Sequence, residues 1–192
     1  MSENTSRREF LKLAGKGVLG AAALSTVPAM LPALAEGVEA PAWPWAYKKL
    51  DKDAVMKHGY ECFYSHGGCC AGAVAAVVEL LAEEYGYPYN QLNARMFADG
   101  AGGYGAATLC GSLGGACAIF GLFCEANEAR ELRDQLYAWY KDHAFPSYQP
   151  EMESITTVSG AIECAGSVGN YMKATGYETV SYTHLTLPTN SL

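Results

Sequence analysis

The sequence predicts an all-α fold, a compact bundle of about five to six helices with a glycine-rich loop, after a cleavable signal. Three patterns predict it: a capped first helix, a second segment apolar on almost every side, and a later segment with a one-sided apolar stripe. At 192 residues, half of them hydrophobic, the chain is long enough for one domain with a buried core.

The first two helices have clear boundaries. Asp51 is placed as an N-cap, and a first helix should run to about His66, where two glycines end it. A second helix should span Cys70 to Tyr85. Because it is apolar on nearly every side, it should lie at the centre of the bundle.

A connecting region with many small residues follows. Asn90 can cap a short turn of helix, and Asp99 to Gly105 form a glycine loop. A fourth helix, from about Ala107 to Cys124, carries six small residues, which predicts close approach by a neighbour or a ligand: Gly111, Gly114, Gly115, Ala116, Ala118 and Gly121.

Two further helices complete the bundle. Asn127 should open a fifth helix that covers one face of the bundle with an apolar stripe made of Leu132, Leu136, Trp139, Tyr140 and His143. A sixth helix should run from about Ala161 to Thr175 and end at Gly176.

The N-terminal sequence is typical of an export signal. Arg7 and Arg8 precede Phe-Leu-Lys and a weakly apolar stretch that ends in Ala-Leu-Ala, which resembles a twin-arginine signal over residues 1–35. We expect cleavage after Ala35 and a periplasmic or other extracytoplasmic location, with the membrane a partner only for export. The alternative is a membrane anchor or an amphipathic helix.

An arm and a tail flank the helical domain. Residues 36–50 contain two prolines and should form an extended arm, which Trp43, Trp45 and Tyr47 pin to the domain or to a second subunit. The segment VSYTHLTLPT, from Val180 to Thr189, equals a translated sequencing adapter, so we expect residues 180–192 to be an artefact and the domain to cover 51–179. The alternative is a short natural strand.

The charge of the chain argues against a nucleic-acid partner. Residues 36–179 carry nine Lys and Arg against eighteen Asp and Glu. Such an acidic surface repels phosphate backbones.

Residues 62–124 hold six of the seven cysteines. His58, Cys62 and His66 are spaced i, i+4, i+8 and share a helix face, with Cys69 and Cys70 just beyond. Imidazole and thiolate bind zinc, iron and haem iron, so this row is a candidate half-site. The alternative is an ordinary stabilising helix face.

Three cysteines recur every seven residues in the fourth helix. Cys117 and Cys124 are interpreted as small core residues. Cys110 follows the glycine loop at a helix start, where the helix dipole lowers a thiol pKa, so it is a candidate catalytic thiolate, with Cys69 or Cys70 as its resolving partner. The loop itself fits neither nucleotide-binding glycine motif.

Cys62, the run GGCCAGAV, the glycine loop and the run LCGSLGGA together resemble the C-GCAxxG-C-C family of redox proteins, and within it the exported branch that includes split-Soret cytochromes c. The resemblance implies a helical redox or electron-transfer protein whose family cysteines are Cys62, Cys69 or Cys70, Cys110 and Cys164.

For the split-Soret branch, the resemblance further implies a homodimer with covalent haem and an axial histidine from the partner subunit. His58 or His66 is the candidate for that histidine. The chain contains no CxxCH, which c-type haem requires. Either the motif was lost with the natural C-terminus or the protein binds no haem, so haem c and an iron-sulfur cluster both stay open.

Three functions follow. The first is electron transfer through a metal centre held by Cys62, Cys69, Cys70 and Cys110, with His58 and His66 as ligands and an unidentified redox partner protein. The second is a thiol-disulfide oxidoreductase or another thiol-dependent enzyme. The third is a cofactor-free binding module stapled by disulfides.

Overall fold

The computed structural model describes residues 40–151 and 156–176. Within them the fold is all-α, as predicted. Its five α-helices are α1 (Lys52–Ser65), α2 (Cys69–Tyr85), α3 (Gly111–Phe123), α4 (Ala126–Asp142) and α5 (Cys164–Thr175). The predicted signal lies outside the described residues, as do the tail from 180 onward and the start of the arm.

Short elements connect the helices. Two 3₁₀ turns, Tyr89–Gln91 and Ala94–Gly100, and a π-type turn, Gly103–Ala107, link α2 to α3. A two-stranded antiparallel sheet that the sequence did not predict pairs β1 (Ala144–Phe145) with β2 (Val158–Ser159). In the described ranges, no helix is both long and apolar enough for a membrane crossing.

Helices α1 and α2 form as predicted. The Asp51 carboxylate accepts a hydrogen bond from the Ala54 N–H, which caps α1. Helix α2 is the centre of the bundle, since nine of its residues are buried and it packs against both α1 and α3. These neighbouring helices cover the apolar residues on the sides of α2.

Helix α3 begins about four residues later than predicted, and α5 about three. The residues ahead of them form an isolated antiparallel bridge between Leu109 and Glu163, so they are extended rather than helical. Ala107 has a φ of 55°, which a right-handed helix does not allow. A contact between distant parts of the chain thus overrides the local helical pattern.

Two predicted caps are wrong by a few residues. The side chain of Asn93, not Asn90, caps the 3₁₀ turn by accepting from the Arg95 N–H. Helix α4 begins at Ala126 with Glu125 at the N-cap position, and Asn127 lies inside it, where its side-chain oxygen accepts from Arg130.

The arm packs on its own chain at the end of α3. The Trp43 indole N–H donates to the Gly121 carbonyl at 2.7 Å, and the Trp45 backbone N–H donates to the Leu122 carbonyl at 3.0 Å. The ring of Tyr47 meets Phe123 edge-on at 5.6 Å. The aromatic residues thus hold the extended arm against the bundle.

Candidate functional site

Four cysteines meet where three helices begin. Cys69 is the first residue of α2, Cys70 follows it, Cys110 is the N-cap of α3, and Cys164 is the first residue of α5. We call these four residues the thiol cluster. Helix N-termini carry partial positive charge, so this arrangement favours thiolate sulfur or another anionic group.

The isolated bridge brings Cys110 and Cys164 together. The Cys110 N–H donates to the Ile162 carbonyl at 2.7 Å, and the Cys164 N–H donates to the Thr108 carbonyl at 2.5 Å. The backbone on both sides of the Leu109–Glu163 pair is therefore fixed. Both thiols thus flank the same bridge, close enough for Cys110 to affect the pKa of Cys164, although the chain separates them by more than fifty residues.

Glycines make room for the other two thiols. A Cβ at Gly100 would stand 2.6 Å from the Cys70 Sγ, and a Cβ at Gly111 would collide with the Cys69 Sγ. A Cβ at Gly115 would lie 2.6 Å from the Cys70 carbonyl oxygen. The small residues predicted to allow close approach in α3 thus allow it to the start of α2.

The thiols of the cluster influence one another. Burial raises the pKa of Cys70 to about 11, and Cys69 and Cys110 add to the shift. Burial likewise raises the pKa of Cys164 to about 11, with contributions from Cys110 and Cys69. For Cys69, burial raises the pKa against opposing backbone hydrogen bonds, including one from Gly102. Burial therefore favours the protonated form of Cys69, Cys70 and Cys164 over the thiolate.

Helix α4 covers the cluster with a tyrosine. The Tyr140 side chain is 3% exposed, and its hydroxyl lies 3.3 Å from the Cys110 Sγ. Burial raises the pKa of this phenol far above its ordinary range, and the neighbouring Cys110 thiol raises it further. Tyr140 is therefore a neutral hydroxyl that can donate a hydrogen bond to a Cys110 thiolate.

A second cluster lies between α1 and α2. The Nε2 atom of His58 lies 3.4 Å from the Cys62 Sγ and 3.0 Å from the Glu79 Oε2, and the Nε2 of His66 lies 2.8 Å from the Glu79 Oε1. We call these four residues the histidine cluster. Across the described residues, only its members His58, Cys62 and Glu79 bring three metal-ligating atoms within 4.8 Å of one another.

Opposing effects set the ionisation of the histidine cluster. The pKa of Cys62 is raised to about 11, mainly by burial and in part by the nearby Glu79 carboxylate. Burial also acts to raise the pKa of Glu79, but hydrogen bonds from His66 and His58 outweigh it, so the net pKa lies below the ordinary value. Glu79 is therefore an anion at neutral pH.

The comparisons identify the family. The profile described as "Putative redox-active protein (C_GCAxxG_C_C)" matches residues 68–184, more than half of the chain. This chain belongs to the C_GCAxxG_C_C family. The family match includes the whole thiol cluster. In the histidine cluster it includes Glu79 but not His58, Cys62 or His66, which precede residue 68.

One relative, a split-Soret cytochrome c, is similar to this C_GCAxxG_C_C protein in both sequence and fold. "Split-Soret cytochrome c" of Desulfovibrio desulfuricans (strain ATCC 27774 / DSM 6949 / MB) is 35% identical over 111 residues, which are 57% of this chain and 40% of that protein. A solved structure, "A novel iron centre in the split-Soret cytochrome c from Desulfovibrio desulfuricans ATCC 27774", superposes with a TM-score of 0.67 at 29% identity. The superposition covers 71% of this chain and 61% of that one, so the chain spans less than two thirds of this relative in both sequence and structure.

The structure revises the expectation that Cys62 shares one site with Cys69, Cys70 and Cys110. Glu79, the partner of Cys62, lies nine residues beyond Cys70 on α2, about 13.5 Å along the helix axis at 1.5 Å per residue. The spacing of His58, Cys62 and His66 on one face was predicted correctly. Their partner is a carboxylate of α2 and not the other thiols.

The other cysteines of the C_GCAxxG_C_C chain lie apart from both clusters. The Cys117 Sγ lies 3.5 Å from the Tyr137 hydroxyl, and Cys124 lies near Glu128, which together with burial raises its pKa. Both side chains are only partly buried, so neither is the small core residue expected from the sequence.

Sequence reasoning missed Glu79 and Tyr140. Glu79 is the one charged residue between Cys69 and Leu81, which could have marked it as functional. Tyr140 was assigned to a covering stripe. Nothing in the local sequence places its hydroxyl on Cys110.

Proposed function

We propose that this chain is an exported electron-transfer protein whose thiol cluster holds an iron-sulfur cluster. The observation that carries the proposal is the convergence of Cys69, Cys70, Cys110 and Cys164 at three helix N-termini. Four cysteine thiolates are the ligand set of both common iron-sulfur clusters.

The spacing of the thiols supports a polynuclear centre. Their mutual effects on pKa make them neighbours, yet no three of them bring their sulfur atoms within 4.8 Å of one another in the described part of the chain. That arrangement is too wide for one tetrahedral ion, whose sulfur ligands lie about 2.3 Å from the metal. In a cluster of several iron and sulfide ions the cysteines bind different irons, so their sulfur atoms lie further apart than around one ion.

The surroundings also suit an anionic cluster. The Tyr140 hydroxyl and the backbone hydrogen bonds at Cys69 place donors beside sulfur. When bound, such a cluster accepts and releases single electrons, and hydrogen bonds to its sulfurs set its reduction potential. The role of Cys110, Cys69 and Tyr140 is to hold the centre and exclude water.

The solved relative supports iron as the metal of the centre. The solved neighbour is a split-Soret cytochrome c described as having a novel iron centre, and its fold covers most of the described helical region. We carry over iron as the metal and an extracytoplasmic location for the mature protein. A homodimer and a redox partner protein also remain part of the proposal.

Haem is the less favoured cofactor. The Nε2 atoms of His58 and His66, the two candidate axial ligands, both contact Glu79 and would have to leave it to reach iron. The haem-ligand role of these histidines stays a prediction.

A thiol-disulfide function is the second candidate. All seven cysteines are free, and Cys110 lies close enough to Cys69 to raise its pKa. This pairing is the one that a catalytic Cys110 with a resolving cysteine requires. These free thiols do not support the third function, a cofactor-free binding module cross-linked by disulfides.

Analysis of the anaerobically purified full chain tests the proposal. We expect iron and acid-labile sulfide in the wild type, a loss of both in Cys110→Ala and Cys164→Ala, and no loss in the controls Cys117→Ala and Cys124→Ala. Wild-type protein without sulfide, but with a reversible two-electron disulfide between Cys110 and Cys69 or Cys70, would establish the second candidate instead.

A further inference from the structure

We propose that His58, Cys62 and Glu79 form a second metal site, for a divalent ion of the zinc class, with one coordination position left open to solvent. The site goes beyond the proposed function, since it uses none of the thiol cluster. Three observations carry it: the distances between the ligand atoms, the hydrogen bonds behind the carboxylate, and the rigid packing of the two helices.

The ligand atoms already outline one face of a tetrahedron. Typical zinc bond lengths of about 2.0–2.3 Å and tetrahedral angles give about 3.6 Å between nitrogen and sulfur, 3.4 Å between nitrogen and oxygen, and 3.6 Å between sulfur and oxygen. The corresponding distances here are 3.4 Å for His58–Cys62, 3.0 Å for His58–Glu79 and 3.6 Å for Cys62–Glu79. An ion fits with displacements of a few tenths of an ångström.

The donor set suits this class of ion. Imidazole nitrogen, thiolate sulfur and carboxylate oxygen are the three protein ligand types of zinc. Two of the ligands, the thiolate and the carboxylate, are anionic and balance a divalent charge. Three protein ligands leave the fourth position for water, the pattern of open rather than purely structural sites.

A second layer of hydrogen bonds holds the carboxylate. His66 Nε2 lies 2.8 Å from Glu79 Oε1, whereas Cys62 contacts the other oxygen, Oε2, and the Ser65 hydroxyl lies 2.8 Å from His66 Nδ1. One oxygen of Glu79 is thus fixed by His66, and the other lies beside His58 and Cys62. Ligating carboxylates are commonly oriented by such outer partners.

The helices that carry the ligands are held in register. A Cβ at Gly72 of α2 would lie 3.0 Å from the Phe63 Cα of α1, so the two backbones are in contact. The Cys62 side chain is buried at 2% exposure, while His58 and Glu79 keep 27% and 34% of their side chains exposed. The site is therefore preformed and open on one side, where an ion can enter.

Cobalt(II) titration of the full chain tests this site, because a cobalt-thiolate bond gives a charge-transfer absorption. In a Cys110→Ala background, which disables the thiol cluster, we expect one equivalent to bind with that absorption. Cys62→Ser should abolish the absorption. His66→Gln, which changes an outer partner, should weaken binding about tenfold to a hundredfold. Glu79→Gln, which removes a ligand, should weaken it by more. Zinc should displace the cobalt.

Matched variants keep the result interpretable. Glu83→Gln alters an exposed carboxylate one turn further along α2, and Cys124→Ser removes a thiol outside both clusters, so neither should change cobalt binding. Glu79→Gln should keep the wild-type circular dichroism spectrum. No cobalt-thiolate absorption in the Cys110→Ala background, or binding there that Cys62→Ser and Glu79→Gln both leave unchanged, would overturn the proposal. Because iron and sulfide are measured separately, failure here leaves the proposed electron-transfer function intact.

Discussion

The Tyr140 hydroxyl lies 3.3 Å from the Cys110 Sγ and joins the covering helix α4 to the thiol cluster. In the proposed iron-sulfur protein this hydroxyl donates to a sulfur ligand. Such donors stabilise the more negative, reduced state of a cluster. The contact thus links a packing residue to the redox chemistry.

Replacing Tyr140 by phenylalanine should make the reduction potential more negative. The variant loses the donor to Cys110 while the ring stays in the core, and unfolding should become easier by about 1 kcal/mol for the lost hydrogen bond. Voltammetry and urea unfolding measure the two effects. Tyr137→Phe is the matched control, since Tyr137 lies 3.5 Å from Cys117, away from the cluster, and should leave the potential unchanged.

The local sequence predicted the elements whose ends are marked by their own residues. Asp51 and the two glycines after His66 placed α1 correctly, and the apolar α2 was predicted to within one residue. The starts of α3 and α5 depend on the bridge between Leu109 and Glu163, a contact between distant segments that helical periodicity does not encode.

For the candidate sites too, the sequence predicts what one helix determines and not what depends on helix packing. The row of His58, Cys62 and His66 could be predicted because one helix fixes its spacing. The assignment of Glu79 to that row and of Tyr140 to Cys110 depends on how α1 packs on α2 and α4 on α3. For that reason the sequence suggested one pocket where the structure has two clusters.

Replacing Gly111 by alanine should disrupt the thiol cluster. The added Cβ would collide with the Cys69 Sγ and lie 2.8 Å from the Gly100 carbonyl oxygen, so we expect reduced iron content and a loss of about 1–3 kcal/mol in stability. Gly121→Ala in the same helix is the control.

The Gly121 control should behave in the opposite way. A Cβ there meets nothing within 4 Å, so the substitution should leave the iron content unchanged and stabilise α3 by about 0.5–1 kcal/mol. Equal thermal unfolding and equal iron content in the two variants would contradict the close approach of α3 to Cys69.

The stability of the metal-free protein should fall in alkaline solution. The pKa values of Cys70 and Cys164 are about 11 in the folded state, above the ordinary value, so the folded chain holds these protons more tightly than the unfolded chain. The stabilisation is complete below about pH 8.5 and is lost as the pH rises toward 11.

Urea unfolding at a series of pH values measures this slope. A Cys70→Ala, Cys164→Ala double variant should show a flatter decline between pH 8.5 and 11 than a Cys117→Ala, Cys124→Ala variant. A decline of equal steepness in both would show that the thiol cluster does not govern the alkaline stability.

X-ray absorption at the iron edge tests the central claim most directly. For the full chain loaded anaerobically with iron and sulfide, we predict a first shell of sulfur at about 2.3 Å and a scattering path between neighbouring irons, both lost in Cys110→Ala. A shell of only nitrogen and oxygen, or one that survives removal of Cys110 and Cys164, would contradict an iron-sulfur cluster at the junction of the three helices.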